Sequence, residues 1–146
     1  FQRVRTVLAS GNVVFDADAA PEERATLSAR IEATLAKRYS YDARILLVTH
    51  EEVAAAIAAF PFESDDPARQ PWVVFCADAA TRGELVDAAA ALDGGTDPVA
   101  PGPGVVYWNP VKGTSTDSPF AKILARATYR PRTTTRNLRT LNRIMG

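Results

Sequence analysis

Three hydrophobic patterns alternate along this chain, and each predicts a different element. Val4 to Ala9 is rich in β-branched residues, and Val13-Val14-Phe15 resumes an extended run. Between them, Ser10-Gly11-Asn12 is turn chemistry, because Gly and Asn tolerate positive φ; together these residues predict a β-hairpin. Pro21 suits a first helical position, and Leu27, Ile31 and Leu35 then recur every fourth residue, predicting a helix that stops near Lys37-Arg38. Ala43 to Thr49, with Ile45-Leu46-Leu47-Val48 at its centre, predicts a strand buried on both faces. A short helix is expected from Glu51 to about Ala59, broken by Phe60-Pro61-Phe62. Trp72 to Cys76 predicts another buried strand.

Further along, Thr81 with Glu84 has capping-box spacing and predicts a helix from Thr81 to about Leu92, stopped by Gly94-Gly95. Asp97 to Ala100 reads as a short strand, Pro101-Gly102-Pro103-Gly104 as a turn, and Val105 to Trp108 as a strand. Ser118-Pro119 opens a helix through Ala127. After Pro131, Thr133 to Thr135 are expected to start a final helix with Leu138, Leu141 and Met145 on one side. A hairpin, a helix and a strand are the last four elements of a βαββαβ unit, and most of that order recurs after residue 60. The fold expected is α+β. It has two ferredoxin-like lobes, a partial one over 1–60 lacking its opening strand and helix, and a second over 61–146 that ends in a basic helix.

Composition changes this picture in two places. Apolar residues make up 47% of 146, enough to build a core without disulfides, and the single cysteine, Cys76, allows no internal one. That usage points to a reducing, cytoplasmic setting. No apolar run approaches the roughly 20 residues that span a bilayer, so no membrane partner is expected. The opening Phe1-Gln2-Arg3 is neither an initiator methionine nor a signal peptide, and reads as the interior of a longer chain. Charge is the second change. Residues 120–146 hold seven bases and no acid, while residues 1–119 hold all 17 acids against ten bases. Such asymmetry marks either an anionic partner or a basic tail docked on an acidic body.

Four blocks resemble a known family. They are Ser10-Gly11-Asn12-Val13-Val14-Phe15; Phe60-Pro61-Phe62; Val106-Tyr107-Trp108 with Gly113 and Ser118; and Thr135-Arg136-Asn137 with Thr140. In content and order they resemble the bacterial "domain of unknown function 1697" family. Phe60 stands where that family has asparagine, and its usual opening strand with an Arg-Gly-Ile-Asn-Val-Gly-like motif is not in this sequence. The resemblance implies two ferredoxin-like lobes and implies no reaction.

The candidate chemistry is sparse and points away from an enzyme. His50 is the one histidine, and no G-x-S-x-G elbow accompanies it. Cys76 reads as a buried small hydrophobe. One His and one Cys cannot make a structural zinc site, and Asp16-x-Asp18 and Asp65-Asp66 lack the spacing of a calcium loop. No catalytic residue, metal or cofactor is therefore assigned. Tyr107, Trp108 and Trp72 read as strand packing before stacking platforms. The stretch from Lys112 to Ser118 combines a cation, Gly113, hydroxyls and a helix start, so an anion site or an ordinary capped loop would both explain it.

The strongest functional signal is basic. On a helix turning about 100° per residue, Arg136, Arg139 and Arg143 fall within ~60° of each other. With Lys112, Ser118 and Arg132 they form the candidate anion-binding set. The partner expected is nucleic acid or a phosphorylated small molecule, and the alternative is that the stripe is simply a solvated face. Two other readings stay open: a ligand pocket or enzyme site between the lobes, and an assembly module. In a ferredoxin-like sheet the opening strand lies inside the sheet, so a preceding segment or a partner strand, including one from a second copy in a homo-oligomer, would have to pair there.

Overall fold

The computed structural model describes residues 2–7, 11–40, 44–92, 97–113 and 118–146. They form an α+β fold with two antiparallel sheets. The chain divides into two compact units, Phe1–Val48 and Thr49–Gly146. Residues 49–60 belong to the second of these units, where side-chain contacts hold them. Helix α2 (His50–Ala58) is held there by the Tyr107 hydroxyl, which donates to the Ala56 carbonyl at 2.6 Å.

In the first unit, β1 (Gln2–Val7) pairs antiparallel with β2 (Asn12–Asp16), with Arg5 opposite Val14 and Thr6 opposite Val13. Gly11 has φ +83°, the conformation its place beside the turn requires, while Ser10 lies outside the described residues. Helix α1 (Arg24–Tyr39) follows a 3-10 turn at Pro21–Glu23 and closes on Ser40, whose N–H donates to the Ala36 carbonyl. Leu27, Ile31 and Leu35 are half-buried along one stripe, as their spacing predicts. The strand expected over 43–49 is not formed by the described residues 44–49. Ile45 to Val48 are half-buried without joining a ladder, and the Ile45 N–H donates to the Glu32 carboxylate at 3.1 Å. An apolar run records burial, but a strand also needs a neighbouring backbone.

The second unit has the order β3 (Trp72–Cys76), α3 (Ala79–Ala90), β4 (Val99–Gly102), β5 (Val105–Trp108), α4 (Pro119–Leu124), β6 (Thr133–Asn137), α5 (Leu138–Met145). Its sheet runs β4-β5-β3-β6 with every pair antiparallel. Val74, Val106 and Trp108 face α3 and α4, closing a core with Leu85, Phe120, Ile123 and Tyr129. On the other face Phe60 meets the Tyr107 ring edge-on at 5.5 Å, and α2 packs beside α5.

Three local expectations are corrected here. The residues Thr133–Asn137 form a strand paired with β3, not the first turn of the last helix. Three consecutive β-branched threonines prefer the extended backbone, and Asn137 then caps α5 by accepting from the Thr140 N–H at 2.7 Å. Helix α3 starts two residues before Thr81, because Asp78 caps it, accepting from the Thr81 N–H at 2.7 Å. Pro101 and Gly102 belong to β4, and the turn is confined to Pro103-Gly104, where Gly104 has φ +74°. Proline is tolerated in β4 because that strand is an edge.

Candidate anion-binding surface

Two consequences follow for the basic segment. The strand assignment removes Arg136 from the helical stripe. Arg139 and Arg143 remain together on the exposed side of α5, whose buried side is Leu138, Thr140 and Leu141. Arg136 lies in β6 opposite Val73, half-buried, with Nη1 donating to the Thr135 carbonyl at 2.9 Å. Burial disfavours its charged form and lowers its pKa.

Arg132 ends the 3-10 turn that leads into β6. Its guanidinium lies over the Tyr129 ring at 5.6 Å, its Nε donates to the Thr128 carbonyl at 3.0 Å, and the Glu84 carboxylate is 3.9 Å away. An ion pair this long and this exposed contributes little. Lys122, Arg126, Arg130, Arg139 and Arg143 are all exposed, and none makes an ion pair among the described residues. Because α4 covers one face of the sheet and α5 lies with α2 on the other, the seven bases are not one flat patch. Lys122 lies on α4 and Arg126 just after it, Arg130 and Arg132 in the 3-10 turn before β6, Arg136 in β6, and Arg139 and Arg143 on α5.

The Lys112–Ser118 stretch is less open to a ligand than its composition implied. Lys112 is exposed and its N–H donates to the Ala68 carbonyl at 2.9 Å. Ser118 is buried, and its Oγ already accepts from the Ala121 N–H at the start of the six-residue α4. Residues 114–117 lie outside the described residues.

Other candidates resolve simply. His50 is exposed on the first turn of α2. Cys76 is held by burial at a pKa of about 11, with Arg82 offsetting only part of the shift. Asp16 pairs with Arg3. No cluster of three metal-ligating side chains occurs among the described residues, and none of their helices is long and apolar enough to cross a membrane. Tyr107 and Trp108 are 1% and 2% exposed, so they pack and offer no stacking surface. A groove of about 530 Å³ beside the start of α1 is lined by Asp18, Glu23, Thr26 and Arg30. Two carboxylates against one guanidinium do not favour phosphate there.

Sequence reasoning missed two half-buried contacts within the second unit. Arg82 Nη1 donates to the Gly102 carbonyl at 2.7 Å, and Arg69 Nη1 to the Asn109 carbonyl at 3.0 Å. Neither has a spacing signal, since each joins residues far apart in the chain.

Comparison with known proteins places this architecture. The model of a protein family of unknown function, DUF1697, matches residues 1–107. The chain belongs to that family. The match ends before the basic segment, so the closing Thr135-Arg136-Asn137 block lies beyond it. A solved structure, the conserved bacterial protein SP0830 from Streptococcus pneumoniae, is similar with a TM-score of 0.76 at 19% identity, over 99% of this chain and 79% of that one. At that identity the likeness speaks to fold alone. No curated protein matches.

Proposed function

We propose that this DUF1697 chain is a non-enzymatic binding protein that holds an anionic partner along the basic rim of its second unit. One observation carries the reading. Five of the seven bases in residues 120–146 are exposed and make no ion pair among the described residues. The cations are spread over α4, the turn before β6, β6 itself and α5, and this spread suits an extended partner better than a compact phosphorylated metabolite. The strand–helix–strand–strand–helix–strand order of residues 72–137, with its antiparallel sheet order β4-β5-β3-β6, further supports reading the second unit as a ferredoxin-like lobe.

The test is an anisotropy titration with labelled single-stranded RNA at low and moderate salt. Three to five phosphate contacts should make log K fall with log[salt] at a slope of roughly −2 to −4. Replacing Arg139 and Arg143 together with Glu should flatten the slope. Absence of binding at low salt removes the reading.

A further inference from the structure

The backbone, more than the side chains, is unfinished at this rim. Among the described residues, strand β6 pairs with β3 alone. Their Cα partners run from Trp72 opposite Asn137 to Cys76 opposite Thr133. At the two ends of this ladder, the Leu138 N–H donates to the Pro71 carbonyl and the Ala77 N–H to the Arg132 carbonyl, at 3.1 and 2.9 Å. In an antiparallel pair, residues that exchange bonds alternate with residues that exchange none. The bonded partners of β3 are therefore Arg132, Thr134, Arg136 and Leu138. Thr133, Thr135 and Asn137 turn their backbone N–H and C=O groups away from β3. The Thr135 carbonyl accepts from Arg136 Nη1, while the Thr133 and Thr135 N–H groups have no partner among the described residues.

A row of outward donors and acceptors at strand spacing is a template for another strand. The surrounding charge selects which strand. Arg130 precedes the edge and Arg139 and Arg143 follow it, all exposed, with Arg132 and Arg136 along it and no acid between residues 120 and 146. Pairing with a second copy of β6 would bring two such arginine sets together, and like charges across a strand pair oppose it. The same charge favours an acidic strand. A nucleic-acid strand would satisfy the guanidinium groups, but its phosphodiester backbone carries no donor, and its base and 2′-hydroxyl donors do not recur at the strand spacing of the outward carbonyls.

We infer that the β6 edge is a strand-addition site for an extended acidic peptide, with carboxylates at every second position beside Arg136. The inference rests on the anionic-partner reading above and names the class of partner.

The experiment uses the full chain and a labelled peptide of alternating Glu and Val. Two further versions are N-methylated on one or the other alternate set of amides, and an oligothymidylate of equal charge serves as the fourth probe. The parent peptide should bind. Methylation of one set should weaken binding about tenfold, the scale of a lost hydrogen bond, and methylation of the other set should not. Thr135→Pro should weaken binding similarly, because it removes an outward N–H and no bond to β3. Equal binding of both methylated peptides overturns strand addition, whether or not the proline variant folds. Binding of the oligothymidylate without the peptide overturns it too, while leaving the anionic-partner reading standing. If neither probe binds, both readings fall.

Discussion

Replacing Tyr107 with Phe should destabilise the second unit by about 1–3 kcal/mol, the cost of leaving one buried carbonyl without its donor. The ring is 1% exposed, and its hydroxyl donates at 2.6 Å to the Ala56 carbonyl in the last turn of α2. That carbonyl is one of the group at a helix end with no intrahelical partner. Phenylalanine keeps the edge-on contact with Phe60 and the volume of the ring, so the lost bond is nearly the whole perturbation. Both tryptophans, Trp72 and Trp108, lie in the sheet of this unit, so intrinsic fluorescence in a urea titration reports its unfolding. With a urea slope of about 1–3 kcal/mol/M, the midpoint should fall by roughly 0.5–1.5 M at unchanged slope. The pH dependence adds a second readout. Burial raises the Tyr107 pKa, so the folded state holds this proton more tightly than the unfolded chain. Its contribution is intact below the ordinary tyrosine value near 10 and is lost as pH rises from there through the folded pKa. The wild type should therefore weaken in that window more than Tyr107→Phe does. A variant within about 0.5 kcal/mol of wild type, with the same alkaline slope, would refute the claim that this bond ties α2 to the sheet.

Three smaller perturbations test neighbouring features. A Cβ at Gly102 would meet the Tyr107 ring, 2.7 Å from Cζ, so Gly102→Ala should cost about 1–3 kcal/mol by overpacking in the same urea titration. Removing the cap of α5 with Asn137→Ala should cost about 0.5–2 kcal/mol, with helical circular dichroism lost before the fluorescence transition. The Cys76 thiol, raised to about 11, should react slowly with a disulfide reagent at neutral pH and accelerate only toward pH 11 or on unfolding. Fast labelling of the folded protein at pH 7 would contradict its burial.

How much of this the sequence disclosed depended on whether an element is defined by its own residues. Strands β3 and β5 could be read to the residue because Val73-Val74-Phe75 and Val105-Val106-Tyr107 are unbroken apolar runs buried on both faces. Helix α1 could be read from the Leu27-Ile31-Leu35 period. Residues 44–48 and 133–137 were misread in opposite directions, since pairing is not a local property. Ile45 to Val48 look like a strand and join no ladder, whereas Thr133-Thr134-Thr135 look like the cap of a helix and complete one. The start of α3 was missed because Asp78 and Thr81 both carry capping chemistry, and only the backbone shows which side chain accepts. The basic segment itself was legible as composition. Its arrangement was not, because Arg136 changes surface when five residues pass from helix to strand.

That change of surface alters which partner the arginines can serve. A stripe on one exposed helix would present guanidinium groups alone, and any polyanion of suitable spacing would answer them equally. Placed along an edge strand, the same residues accompany a directional row of backbone groups, with Arg136 occupying the Thr135 carbonyl. A guanidinium in that position competes with an incoming donor, so entry of a strand requires its displacement. Displacement from the Thr135 carbonyl is eased when the entering chain supplies a carboxylate to that guanidinium, because a charge-assisted bond is stronger than a bond to a neutral carbonyl. Neutral strands would have to displace Arg136 without offering it an anion, and basic strands would oppose it. The edge would thus be closed to most extended chains and open to acidic ones, a selectivity that neither the arginines nor the unpaired backbone would produce alone.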